Sequence, residues 1–137
     1  MAKIRRINPP GLHRTPGYAH VTIAEGNRRA YLAGQCPLDA DGNLVGRDDL
    51  DAQVDQVVAN CLAALASVGA RADQVVRSVI YVQSWDRGDL AQAWDRLTRS
   101  ALAPAFSTAS TLLGVSQLGY AGQLVEVELT ALLDSFF

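Results

Sequence analysis

Histidine is scarce in this chain: His13 and His20 are the only imidazoles, and both lie near the N-terminus. That argues against a multi-histidine metal site within one chain. The two cysteines, Cys36 and Cys61, are too far apart for a CxxC redox motif or a cysteine-rich zinc site, and they read as free, partly buried thiols. No GxSxG, P-loop or GxGxxG is present, which argues against a serine hydrolase of that type and against dedicated nucleotide binding. No metal and no cofactor is expected. A basic surplus is also missing: 12 Lys and Arg stand against 14 Asp and Glu, scattered and without an aromatic-basic stripe, so nucleic acid is not an expected partner. No apolar run reaches about 18 residues, and Lys3, Arg5 and Arg6 lead into Asn8-Pro9-Pro10-Gly11 rather than into a signal-peptide core. A membrane role is therefore not expected, and a cytoplasmic location is.

What is present is one domain, residues 1–137, with apolar content high enough for a real core. Its clearest stretch is near the C-terminus. Val125, Val127, Leu129 and Ala131 alternate with Leu124, Glu126, Glu128 and Thr130, the period-2 pattern of a strand with one apolar face. Two carboxylates in such a strand are costly unless solvated, paired or hydrogen-bonded. A solvated rim and a functional site are both open for them.

Along the chain, a polar, Pro-rich lead-in precedes strand-like segments at Tyr18 to Ala24 and Arg29 to Ala33, which the Glu25-Gly26-Asn27 turn would join as a hairpin. Pro37 ends the second strand. Asp48 or Asp49 can cap a helix with Leu50, Val54, Val57, Val58, Cys61, Leu62, Leu65 and Val68 at i, i+3, i+4 spacing, and Gly69 can end it. Gln74 to Gln83 is a β-branched run covered on both faces. Gly88-Asp89 opens a second helix, which Ala103-Pro104 ends, and Phe106 to Ala109 leads to two final strands.

The predicted order is β-β-α-β-α-β-β, an α+β sandwich in which two helices cover one face of a mixed sheet. The other face would carry Val21, Ile23, Val79, Tyr81, Leu112, Val125 and Val127, more apolar surface than a monomer leaves in one patch. Burial in a closed homo-oligomer is the expectation. Gly34, at a strand end, reads either as a bulge glycine or as a place where a ligand approaches the backbone.

These residues resemble the RidA/YjgF family, also known as endoribonuclease L-PSP. The likeness rests on Gly17-Tyr18, on Ala33-Gly34-Gln35-Cys36-Pro37-Leu38 where that family has Ser-Gly-Gln-Ile-Pro, and on Gln53 to Asn60. It continues through Asp73 to Val82 and through Leu124-Val125-Glu126-Val127-Glu128. It implies a chorismate-mutase-like fold assembled as a homotrimer, with a small-molecule cleft between subunits. It also implies hydrolysis of 2-imino acids and enamines without metal or cofactor. By the same resemblance Glu126 matches the water-positioning glutamate, Gly34 a backbone donor and Tyr18 a cleft-lining aromatic, with Trp85 a further liner.

The family's substrate-gripping Arg, in a Pro-Ala-Arg-Ser/Thr motif, has no counterpart. Alignment on Gly114-Val115 and Leu124-Val125-Glu126, the preferred register, puts Ser110 in its place; alignment on Pro104-Ala105 puts Phe106 there. Ala33 also replaces a pocket serine. Losing a charge-assisted bidentate contact to a carboxylate forfeits roughly 2 to 5 kcal/mol, so an atypical imine or enamine is the expected substrate. In that scheme the Gly34 N–H and the Ser110 hydroxyl orient it. The alternatives are a non-catalytic ligand-binding or interaction module on the same trimer and, with less support, an endoribonuclease.

Overall fold

The computed structural model describes residues 3–135. Six strands and two helices follow one another as β1 (Lys3–Ile7), β2 (Val21–Glu25), β3 (Arg28–Tyr31), α1 (Leu50–Ala66), β4 (Val75–Gln83), α2 (Arg87–Thr98), β5 (Ala109–Val115) and β6 (Val125–Leu133), with 3-10 turns at Ala72–Gln74 and Ala103–Phe106. A four-stranded sheet has the order β3-β6-β4-β5, and β1 pairs with β2 in a separate two-stranded sheet. The larger sheet is mixed: β4 and β5 are parallel, while β6 is antiparallel to both β3 and β4. No described helix is long and apolar enough to cross a membrane.

Helix α1 forms where its stripe predicts. Asp49, rather than Asp48, supplies the cap by accepting from the Ala52 N–H at 3.1 Å. Val54, Val57, Val58, Cys61 and Leu65 are buried, and Gly69 follows the helix at φ 70°, a conformation that a side chain would strain. Helix α2 is capped by Asp86 and stops at Thr98, short of Ala103-Pro104. The hydroxyls of Thr98 and Ser100 bond back to the Trp94 and Leu97 carbonyls, and the chain then tightens into the 3-10 turn that holds Pro104. Both helices pack on one face of the sheet, against Ile80, Val82, Val125, Val127, Leu129 and Ala131.

Three expectations change. The polar lead-in contains strand β1, whose Lys3, Arg5 and Arg6 are exposed, so that no apolar alternation announces it. Strands β2 and β3 are not a hairpin pair. β2 takes β1 as its partner while β3 joins β6, and the first of them starts at Val21 rather than Tyr18. Finally, Leu112, Val125 and Val127 face the helices, because each alternates in phase with the core positions of its own strand. The face away from the helices keeps Tyr81 and Val79, together with exposed Tyr31 and Leu113.

The buried side chain of Gln53 ties α1 to the loop before β6. Its Nε2 donates to the Gly46 and Gly122 carbonyls, each at 3.0 Å, and its Oε1 accepts from the Leu124 N–H at 2.7 Å. Replacing Gln53 by Leu removes the partner of the Gly122 carbonyl and of the Leu124 N–H, while the Gly46 carbonyl keeps the Asp49 N–H. A loss on the order of 2 kcal/mol in unfolding free energy is expected from denaturant titration, with the slope of the transition unchanged.

Candidate functional site

Strand β6 delivers its carboxylates to the face away from the helices, since Val125, Val127 and Leu129 occupy the helix side. Glu128 is exposed and accepts from the Tyr81 hydroxyl at 3.2 Å, as a rim residue would. Burial, together with the charges of Glu128 and Glu126, pushes the Tyr81 phenol up from its ordinary value. Glu126 is only partly exposed, and three neighbours define its position.

The first is Gly34. Beyond β3 the chain stays beside β6, with Leu32 N–H bonded to the Leu129 carbonyl and Gln35 bridging Val127. This places Gly34 under the Glu126 side chain, where an added Cβ would lie 2.6 Å from the Glu126 Cδ and closer still to Oε2. Glycine is required here by close approach rather than by backbone angle. The second is Cys36, whose thiol donates to Glu126 Oε1 at 3.3 Å. The third is Gln123, whose Nε2 donates to the same oxygen at 3.1 Å. Burial pushes the Cys36 thiol up to about 11, helped by the hydrogen bond and the negative charge of Glu126. It is therefore a protonated donor at neutral pH. Gly34 and Cys36 also line an open cleft of about 370 Å³ with Gln35, Leu38, Asn60 and Tyr120. The Asn60 amide donates to the Cys36 and Leu38 carbonyls at 2.8 and 2.9 Å, fixing this corner to α1.

The structure thus brings Glu126 and Gly34 together, with Ala33 next in the chain. It does not bring Ser110 to them. Ser110 sits opposite Ser78 on the helix side of the sheet, where its hydroxyl meets Ser78 Oγ and the Phe106 and Thr108 carbonyls. Because side chains alternate, the β5 hydroxyl on Glu126's face is Thr111, one residue on, and it accepts from Arg77 Nη2 at 2.7 Å. Tyr18 also lies elsewhere in the chain. Its hydroxyl pairs with His13 Nε2 at 2.8 Å and its ring packs edge-on against His20 and Trp94. Trp85 stands 89% exposed in the connection between β4 and α2. Among the described residues no group of three His, Cys, Asp or Glu side chains is placed to hold a metal ion.

Gln123 and Gln53 were the residues whose roles sequence reasoning missed. Gln53 left a signal, being a polar side chain inside an otherwise apolar helical stripe. Gln123 left none, because its partners are a loop amide and a carboxylate.

Residues 12–133 match the Endoribonuclease L-PSP family. The chain belongs to this family, the RidA/YjgF proteins. It is similar to the structure of YyfB from Yersinia pestis, a protein of unknown function of the conserved Rid family, with 33% identity over 95% of this chain and 98% of that one and a TM-score of 0.85. YyfA of the same organism, likewise a Rid protein of unknown function, matches at 27% identity over 94% and 98% of the two chains, with a TM-score of 0.65. A YjgF/YER057c/UK114 family member from Mycobacterium tuberculosis shares the fold, at 21% identity over 96% and 100% and a TM-score of 0.62. No curated protein matches the chain.

Two outcomes follow from the geometry. Gly34→Ala should fold with a stability change within about 1 kcal/mol, because the obstructing atoms belong to the end of a flexible side chain, yet a crystal structure should show the Glu126 carboxylate swung off its present site. The second concerns alkaline pH. Burial raises Cys61 to about 12 and Cys36 to about 11, both above the ordinary value of 9.0. Between 9 and those values the unfolded chain releases protons that the folded one keeps. Stability should be full below pH 9 and fall as pH rises toward 11 and 12, and the decline should be shallower in Cys61→Ala.

Proposed function

We propose that the chain is a cofactor-independent hydrolase of the imine or enamine deaminase type, working in clefts between the subunits of a homotrimer on a substrate that does not depend on a carboxylate for binding. The observation that carries this reading is the Glu126 carboxylate, held through one oxygen by two donors and pressed against the bare backbone of Gly34 beside an open cleft.

In the reaction a water held by Glu126 attacks the carbon of the C=N bond. Its oxygen bonds to that carbon while Glu126 takes a proton, and the C=N pair of electrons goes to nitrogen, which is protonated. Collapse of the carbinolamine breaks the C–N bond, releasing ammonia and leaving a carbonyl compound. The Gly34 N–H orients the substrate. Ser110, held on the helix side of the sheet, has no part in the scheme, and Thr111 is the β5 hydroxyl available on this face. Tyr18, Trp85 and Ala33 complete the cleft around the subunit boundary. Exposed Tyr31 and Leu113 on the sheet face away from the helices give the trimer its apolar contact.

Charge supports the substrate class. Glu126 and Glu128 share this face, and Arg77, on the β4 position level with Thr130, is its nearby cation. A unit charge about 4 Å from a carboxylate is worth about 4 kcal/mol at an effective dielectric of 20. A carboxylate substrate would meet that as repulsion, without the family's arginine to offset it. A protonated imine meets it as attraction, in the form most open to attack by water.

The test is the decay of imines trapped by semicarbazide, generated enzymatically from amino acids and from simple amines, with and without the protein. Amine-derived imines should be hydrolysed faster than amino-acid-derived ones, the chain should sediment as a trimer, and Glu126→Gln should abolish turnover with the trimer intact. Full activity in Glu126→Gln would refute the mechanism; no acceleration on any imine, with tight ligand binding retained, would make the chain a binding module.

A further inference from the structure

We infer that Cys36 and Gln123 are positioning residues that make the Glu126 carboxylate asymmetric, binding Oε1 from two sides so that Oε2 alone faces the substrate over Gly34. The inference rests on the proposed hydrolase reading for its kinetic consequence and on geometry alone for its structural one.

Both donors converge on one oxygen, the thiol at 3.3 Å and the amide at 3.1 Å, while Oε2 is the carboxylate oxygen nearest the space above Gly34. The orientation of the Gln123 amide is fixed by chemistry. Its Oε1 accepts from the Tyr120 N–H at 3.1 Å, so the atom facing Glu126 must be the nitrogen, which also donates to the Val125 carbonyl at 3.1 Å. The side chain is 97% buried, at 3% exposure, and every polar atom on it is used. It cannot turn away without orphaning buried groups. Tyr120 lines the same cleft as Cys36, so the Gln123 amide ties the cleft wall to the carboxylate.

Cys36 holds the other side. It stands where the resembled motif carries an isoleucine, which can donate nothing, so this hold on Glu126 belongs to this chain rather than to the general pattern. The titratable groups around the thiol are Glu126 at hydrogen-bond distance and, along the cleft, Asp39 and Tyr120. None is cationic; the Gln123 amide favours a thiolate, but burial and the hydrogen bond and charge of Glu126 outweigh it, so the thiol is a donor and not a nucleophile. With Oε1 occupied twice, Oε2 is the oxygen left to hold a water. Misplacement of a reacting group by about 1 Å is enough to cost on the order of 100-fold in rate.

The experiment has two arms. The first needs no substrate: the rate of Cys36 alkylation by iodoacetamide, read by mass spectrometry of the Cys36 peptide, is followed against pH in the wild type and in Glu126→Gln. The midpoint should lie near 11 in the wild type and lower in the variant, since the carboxylate's charge is gone. An unchanged midpoint would overturn the thiol–carboxylate contact. The second arm measures kcat and KM separately on the best imine. Cys36→Ala and Gln123→Met should lower kcat about tenfold or more with KM within about twofold, and Cys36→Ser, which keeps a donor, should recover most of kcat. Full kcat in Cys36→Ala would overturn the positioning role, as would a loss that Cys36→Ser fails to restore. If the wild type hydrolyses no imine, the function reading fails on its own, and the alkylation arm alone decides whether Cys36 grips Glu126.

Discussion

Strand β6 is hydrogen-bonded on both sides, to β3 and to β4, and it cannot shift by one residue without exchanging its two faces. Val125, Val127, Leu129 and Ala131 must lie beneath the helices, each almost wholly buried. That requirement alone sends Glu126 and Glu128 to the opposite face. The apolar core thus fixes where the carboxylates stand, and the burial of four side chains resists any slip that would place charge under α1. What the core does not fix is the direction of each carboxylate once there.

That second choice belongs to small polar contacts at the end of β6. Gln53 reaches from α1 to hold Gly46, Gly122 and Leu124, Gln123 grips Tyr120 and Glu126, and Asn60 holds the carbonyls of Cys36 and Leu38. These amides come from the helix and from the loop before β6, and their targets are the two chain segments flanking Glu126. A loop that would otherwise be free over residues 116–124 is anchored at its last turn by two buried glutamines. Side-chain amides add rigidity on the side where β3 has ended at Tyr31 and an isolated Gln35–Val127 bridge pairs β6.

The fold was legible wherever periodicity was strong. The α1 stripe, the β-branched run of β4 and the alternation of β6 each gave the right element, and the mixed sheet with both helices on one face followed from their order. Legibility failed where a strand had no apolar face to show. In β1 Lys3, Arg5 and Arg6 are exposed, with Arg6 reaching the Asp73 and Val75 carbonyls, and its pairing with β2 is backbone chemistry that sequence pattern does not record. The same gap led β2 to be paired with β3 through a convincing turn. At the site, the closeness of Gly34 and Glu126 was reachable only through family resemblance, because nothing in either residue names the other across more than ninety positions. Ser110 shows the opposite failure. Alignment chose the residue, but a one-residue difference in a strand reverses the face, and Ser110 points at Ser78 while Thr111 shares the carboxylates' face.

The missing arginine and the cysteine at position 36 bear on one another. An arginine gripping a substrate carboxylate would stand close to Glu126, and its charge would itself help to orient that side chain. Without it, Glu126 faces Glu128 on its own strand, and Arg77 is engaged by Thr111. A carboxylate in that setting is pushed toward solvent unless neutral donors hold it. The protonated thiol of Cys36 and the amide of Gln123 are such donors: they add no charge, they are already paired before any ligand arrives, and they leave one oxygen free. On the proposed hydrolase reading, a site organised this way gives up strong recognition of anions and keeps a directed base, which is the combination that hydrolysis of an uncharged or cationic imine requires.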